Sequence, residues 1–194
     1  MDNNFKPTYF SADDALKKAF TGCRGRPSTP STWKYGKNPG DAPFSSAFLD
    51  NLEGMEEIAG QSAFVVNAVN TLPFNELVAV HAMYTQKFKD NDFGIPEVSY
   101  DYLCVLVAMS IVIASLVPSV KQKRLRDILV ARSLGMPQQK AEKMAERLGM
   151  HEDTFGNHFR KVKSTIDSLN DRAMVMITEK LEQRGIIILE ENYE

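Results

Sequence analysis

Residues that carry covalent or metal chemistry are scarce in this chain. Its 194 residues include only two cysteines, three histidines and one tryptophan. Cys23 and Cys104 stand far apart in unlike surroundings, which excludes a disulfide framework and points to a reducing, cytoplasmic location. His81, His151 and His158 share no ligand spacing with either cysteine, so no metal is expected. A Gly-x-Ser-x-Gly elbow, a phosphate loop and a His-Glu-x-x-His pair are all missing, so neither an enzyme nor a bound cofactor is expected. Long apolar runs are also missing. Tyr102 to Val117 is uncharged over 16 residues, short of the roughly 20 needed to cross a bilayer. It reads as a buried helix or a subunit interface, ended by Pro118, with no membrane partner. The start, MDNNFKPTYF, has neither the basic nor the apolar stretch of a signal peptide. With a net charge of −2, a general coating of nucleic acid is excluded.

What is present is an ordinary globular mixture, 43% hydrophobic and 25% charged, enough for one well-buried domain or two small ones. Its charge is unevenly placed. Residues 1–118 hold 9 basic and 13 acidic side chains, residues 119–163 hold 11 and 5, and residues 164–194 hold 3 and 7. The positive block coincides with the most informative stretch of the chain, Ala141 to Arg160.

That stretch reads as a helix, a glycine turn at Gly149 and a second helix, with Ala145 small enough for a close helix crossing. Phe155, Phe159, Val162, Ile166 and Leu169 recur at helical spacing and form one apolar stripe. The opposite face carries Asp153, Asn157, Arg160, Lys161 and Ser164, with Gly156 at its edge. Asparagine and arginine can make paired hydrogen bonds to adenine and guanine edges, and a glycine admits close backbone approach. Lys140, Lys143 and Arg147, at i, i+3 and i+7, predict a basic stripe on the first helix that would lie across phosphates. Double-stranded DNA is therefore the expected partner. Helix pairs joined by a glycine turn also occur purely as packing units, and Glu152 and Asp153 would repel phosphate, so a protein-interaction module stays open.

The expected fold is mostly α: a helical bundle containing the helix-turn-helix, with an extended Pro/Gly-rich N-terminal arm. Four segments are expected: 1–44, an N-terminal helix and the arm; 45–136, a helical body with the inserted apolar helix; 137–169, the helix-turn-helix; and 170–194, a C-terminal helix and short strand. Helices are predicted at Ser11–Phe20, Ser45–Ala59, Gln61–Leu72, Asn75–Phe88, Ser99–Val117 and Lys121–Leu134. Lys89–Pro96 reads as a polar loop. Ile186–Glu190 is the one strand candidate, needing a partner strand that another subunit could supply. The second helix of the pair either continues past Asn170-Asp171 or gives way there to a new helix ending at Gly185. In the arm, Arg24-Gly25-Arg26-Pro27 resembles an AT-hook, whose arginines enter a narrow minor groove; the same run also reads as a Pro-rich arm packed by Trp33.

Leu148 to Ile166, LGMHEDTFGNHFRKVKSTI, resembles the DNA-reading helix of region four of bacterial sigma factors. Leu72 to Tyr84, LPFNELVAVHAMY, resembles the helix that opens that region, although an insertion of about fifty residues, roughly 89–136, lies between the two here. A sigma-like helix-turn-helix in a small free-standing protein is similar to phage late-gene antiterminators of the Q class, of the zinc-free type. The resemblance implies a transcription antitermination factor acting in the bacterial host cell. It would bind late-promoter DNA and join paused RNA polymerase and its sigma factor, so that terminators are read through. On this view Asn157, Arg160 and Lys161 touch DNA, with Lys140, Lys143 and Arg147 on the backbone. Two other DNA-binding functions fit the same residues: a dimeric repressor or activator, and a phage small terminase subunit whose 102–117 segment builds a homo-oligomeric ring.

Overall fold

Serine side chains cap the starts of two helices. The Ser11 hydroxyl accepts from the Asp14 backbone N–H at 3.2 Å, opening α1 (Ala12–Gly22). Ser99 opens α4 (Tyr100–Leu116) by accepting from the Tyr102 N–H at 3.2 Å, relieving one of the donors that a helix start leaves unpaired. The computed structural model describes residues 9–22, 60–90 and 96–187. Besides α1 and α4 they form α2 (60–70), α3 (Phe74–Tyr84), β1 (Phe88–Asp90), β2 (Pro96–Val98), α5 (Lys123–Ser133), α6 (Ala141–Arg147) and α7 (Glu152–Glu182). The fold is mostly α, as its periodicity implies. The arm with Arg24 and Arg26, and the helix expected at 45–59, lie outside the described residues.

The chain divides into two compact units, one of Leu72–Met176 and one of Met1–Thr71 with Ile177–Glu194. In the first, a single core gathers Val78, Ala79 and Ala82 from α3, Tyr102, Met109, Val112 and Ile113 from α4, and Leu125, Leu129 and Val130 from α5. Met144 and Ala145 from α6 join Phe155, Val162, Ile166 and Leu169 from α7 to complete it. Partly buried polar contacts also link these helices. The Ser110 hydroxyl donates to Asp127 at 2.5 Å, and Arg126 reaches Ser110 Oγ at 3.2 Å and the Val120 carbonyl at 3.2 Å. Glu76, buried on α3, meets Arg172 of α7 at 3.1 Å. In the second unit, Tyr9, Leu16, Val65, Val69 and Leu181 are buried, and Lys180 donates to Thr71 Oγ1 at 2.6 Å.

Three expectations change. The helix expected at Asn75–Phe88 stops at Tyr84, and Phe88 begins a strand. The polar loop expected at Lys89–Pro96 is in part a hairpin, with Phe88 paired to Val98, Lys89 to Glu97 and Asp90 to Pro96 in antiparallel register. Both strands are three residues long and largely exposed, so no in–out alternation marks them in the sequence. Ile187 does pair, but within the chain: it forms a parallel bridge with Tyr9, and residues 188–190 lie outside the described residues. Between the two readings of Asn170-Asp171, the unbroken helix is the one found. Leu169, Ala173, Ile177 and Leu181 keep the buried spacing through it, so the expected boundary at 169/170 falls inside α7.

His81, on α3, is half-buried, and desolvation holds its pKa below the ordinary 6.5. The unfolded chain takes up this proton below about pH 6.5 while the folded chain resists until its own lower pKa. The stability so gained is present above the ordinary value and is lost as pH falls towards the folded one. Urea midpoints should therefore decline from about pH 7 to about pH 5.5, and His81→Gln should flatten that decline; an equal slope in both proteins would refute this role.

Candidate nucleic-acid interface

The geometry of the α6–α7 turn follows from Gly149. Its φ is +65°, a left-handed conformation that side chains with a Cβ adopt at a cost of roughly 1–2 kcal/mol. The Gly149 N–H donates to the Glu146 carbonyl at 3.0 Å and the Met150 N–H to the Ala145 carbonyl at 3.1 Å, a Schellman cap that closes α6 and reverses the chain. His151 then starts α7: its Nδ1 accepts from the Asp153 N–H at 3.3 Å, and its carbonyl accepts from the Phe155 N–H at 3.1 Å.

Phe155, Val162, Ile166 and Leu169 are each buried to within about a hundredth of full enclosure, and this sets the rotation of α7. Asp153, Asn157, Arg160, Lys161 and Ser164 consequently stand exposed on the other side, with Gly156 half-buried between the faces. Arg160 donates through Nη2 to Asn157 Oδ1, so the two side chains best suited to base edges are paired with each other. Arginine carries five N–H donors, and one bond to Asn157 leaves the others available for a guanine edge or a phosphate. A Cβ built on Gly156 would meet nothing within 4 Å. The packing of this chain therefore does not require a glycine there.

The basic stripe is corrected. α6 begins at Ala141, and Lys140 is the extended residue before it, with φ −55° and ψ 149°. Only Lys143 and Arg147 share the helix, one turn apart; all three cations are exposed. Arg147 donates to Gln139 Oε1 at 3.2 Å. The Arg132 guanidinium covers the ring of Phe159, 5.5 Å from its centroid, and donates to the Gln139 carbonyl at 3.1 Å. These contacts pin the segment between α5 and α6.

The corner between α4 and α5, which sequence reasoning did not place at this site, also lies against α7. Leu116, Val117, Pro118 and Ser119 form one wall of an open groove of about 550 Å³, and Arg160, Lys161, Ser164 and Thr165 form the other. Exposed Lys121, Lys123 and Arg124 follow directly, so the corner extends the positive surface of α7. Its only sequence signal was the basic block starting at residue 119. Among the described residues, no group of three or more histidine, cysteine, aspartate or glutamate side chains could hold a metal ion, and no helix is long and apolar enough to cross a membrane.

Comparison with known protein families, curated proteins and solved structures finds no match to the chain.

Gly149→Ala tests the turn. The added Cβ has open space around it, so the whole cost is the left-handed backbone, roughly 1–2 kcal/mol. Thermal unfolding should shift down by a few degrees; an unchanged or raised midpoint would mean that the turn relaxes freely.

Proposed function

We propose that the protein is a phage transcription antitermination factor, of the zinc-free Q class that its sequence resembles. It binds late-promoter DNA through α7 and modifies paused RNA polymerase so that terminators are read through. The observation that carries the DNA-binding part is the outward face of α7. There Asn157, Arg160, Lys161 and Ser164 stand exposed, as do Lys143 and Arg147 on α6, the helix before the turn. In this reading the N-terminal turns of α7 enter the major groove. Arg160 reads a base edge, with Asn157 orienting its guanidinium, while Lys140, Lys143 and Arg147 contact phosphates. Gly156 lets a sugar-phosphate strand approach the helix backbone.

The antitermination part rests on the likeness of Leu148–Ile166 to sigma region four. It is tested by single-round transcription on the cognate late promoter with a downstream terminator. Readthrough that requires the protein and disappears with Arg160→Ala is the expected result. Altered initiation without readthrough would instead make it a DNA-binding repressor or activator, a reading favoured by the bare apolar face that α4 presents.

Two binding measurements examine the α7 face itself. Arg160→Ala should cost about 1–3 kcal/mol of specific affinity and relax sequence preference, whereas Lys143→Ala should weaken binding uniformly and reduce the salt slope by about 1. Gly156→Ala should raise folding stability by about 0.5–1 kcal/mol, as alanine does within helices, yet weaken DNA binding. Stabilisation with undiminished affinity would remove Gly156 from the interface.

A further inference from the structure

We infer that the protein is a homodimer in which α4 packs antiparallel against α4 of a second copy, about a twofold axis near Val107. α4 buries one face, through Tyr102, Met109, Val112 and Ile113, but none of the described residues covers its other face. Val107 and Ile111 are each 60% exposed and Tyr100 is 78% exposed, and Leu103, Cys104 and Ala114 are exposed beside them. Tyr100, Val107 and Ala114 repeat every seven residues, with Leu103, Cys104 and Ile111 between. That spacing makes a narrow seam along the helix, the pattern through which one helix packs on another.

Area and charge both favour a second copy as the occupant. The seam leaves on the order of 500 Å² of apolar surface bare, near the upper limit for one patch on a monomer. Two such faces approach the roughly 1,200 Å² at which specific interfaces begin. No charge interrupts the seam, but its ends differ in sign. Asp101, in the first turn of α4, is exposed, whereas exposed Lys121 and Arg124 follow the other end, with Lys123 between them 3.8 Å from Asp127. Antiparallel pairing sets each acidic end over the partner's basic end, twice by symmetry, and opposes the helix dipoles. Parallel pairing would set Asp101 against its own copy.

Sedimentation of the full chain at roughly 100 µM, where a dimer of micromolar Kd is saturated, should give twice the monomer mass of 21.8 kDa. Val107→Glu, at an exposed position, should weaken association at least tenfold while leaving the helical circular dichroism unchanged. With Cys23→Ser, the one remaining thiol reports geometry. Cys104 lies three residues from the axis, so the two copies sit about 9 Å apart along the seam, too far for a disulfide. A short flexible bismaleimide should join them, and oxidation should not. A monomer overturns the inference, as would a monomer whose Cys104 resists thiol reagents because segment 23–59 of the same chain covers it. A ring of higher mass, a dimer indifferent to Val107→Glu, or a ready Cys104 disulfide would overturn it equally. None of these outcomes depends on DNA binding, so the interface and the proposed function stand or fall separately.

Discussion

The rotation of α7 about its own axis is the constraint on which the rest of the larger unit turns. Phe155, Val162, Ile166 and Leu169 are almost wholly enclosed, and each fully buried side chain of this size contributes about 1.5–3 kcal/mol. No alternative setting of the helix could recover that burial without exposing some of it. Once the stripe is inward, Asn157, Arg160, Lys161 and Ser164 have no choice but solvent. Arg132, stacked on Phe159 and bonded to the Gln139 carbonyl, then locks the segment leading into α6. The exposed chemistry is thus a by-product of core packing, held as firmly as the core itself.

Much of this was legible in the residues, for identifiable reasons. α4 announces itself as an uncharged run ended by Pro118, α5 and the α6–α7 pair through apolar spacing, and the turn through Gly149, whose positive φ it demands. The hairpin was not legible: strands of three exposed residues leave no alternation to read, and Phe88 sits at helical spacing from Tyr84. Asn170-Asp171 resembles a helix boundary, yet burial of Leu169 and Ala173 on either side outweighs the weak local preference of two polar residues. The Tyr9–Ile187 bridge joins distant parts of the chain, and nothing local to either residue points to the other.

The same division holds at the candidate interface. Side chains on α7 could be placed outward by angle alone. Ser119 and its neighbours could not be placed beside them, since their position depends on tertiary packing of Val117 and Val120 in the core and on the Ser110–Arg126–Asp127 contacts. Lys140 shows how narrow the margin is: one residue at a helix start separates a shared helical face from an extended approach.

The bond between Arg160 and Asn157 bears on recognition through entropy. A free surface arginine samples many rotamers, and freezing one on binding costs about 0.5–1.5 kcal/mol. Here part of that freedom is already surrendered in the free protein, because the guanidinium is tethered to a neighbour one turn away on a rigid helix. An anionic or guanine-like group arriving at this face meets a fork of donors whose direction was chosen during folding, and less disorder remains to be lost at the moment of contact.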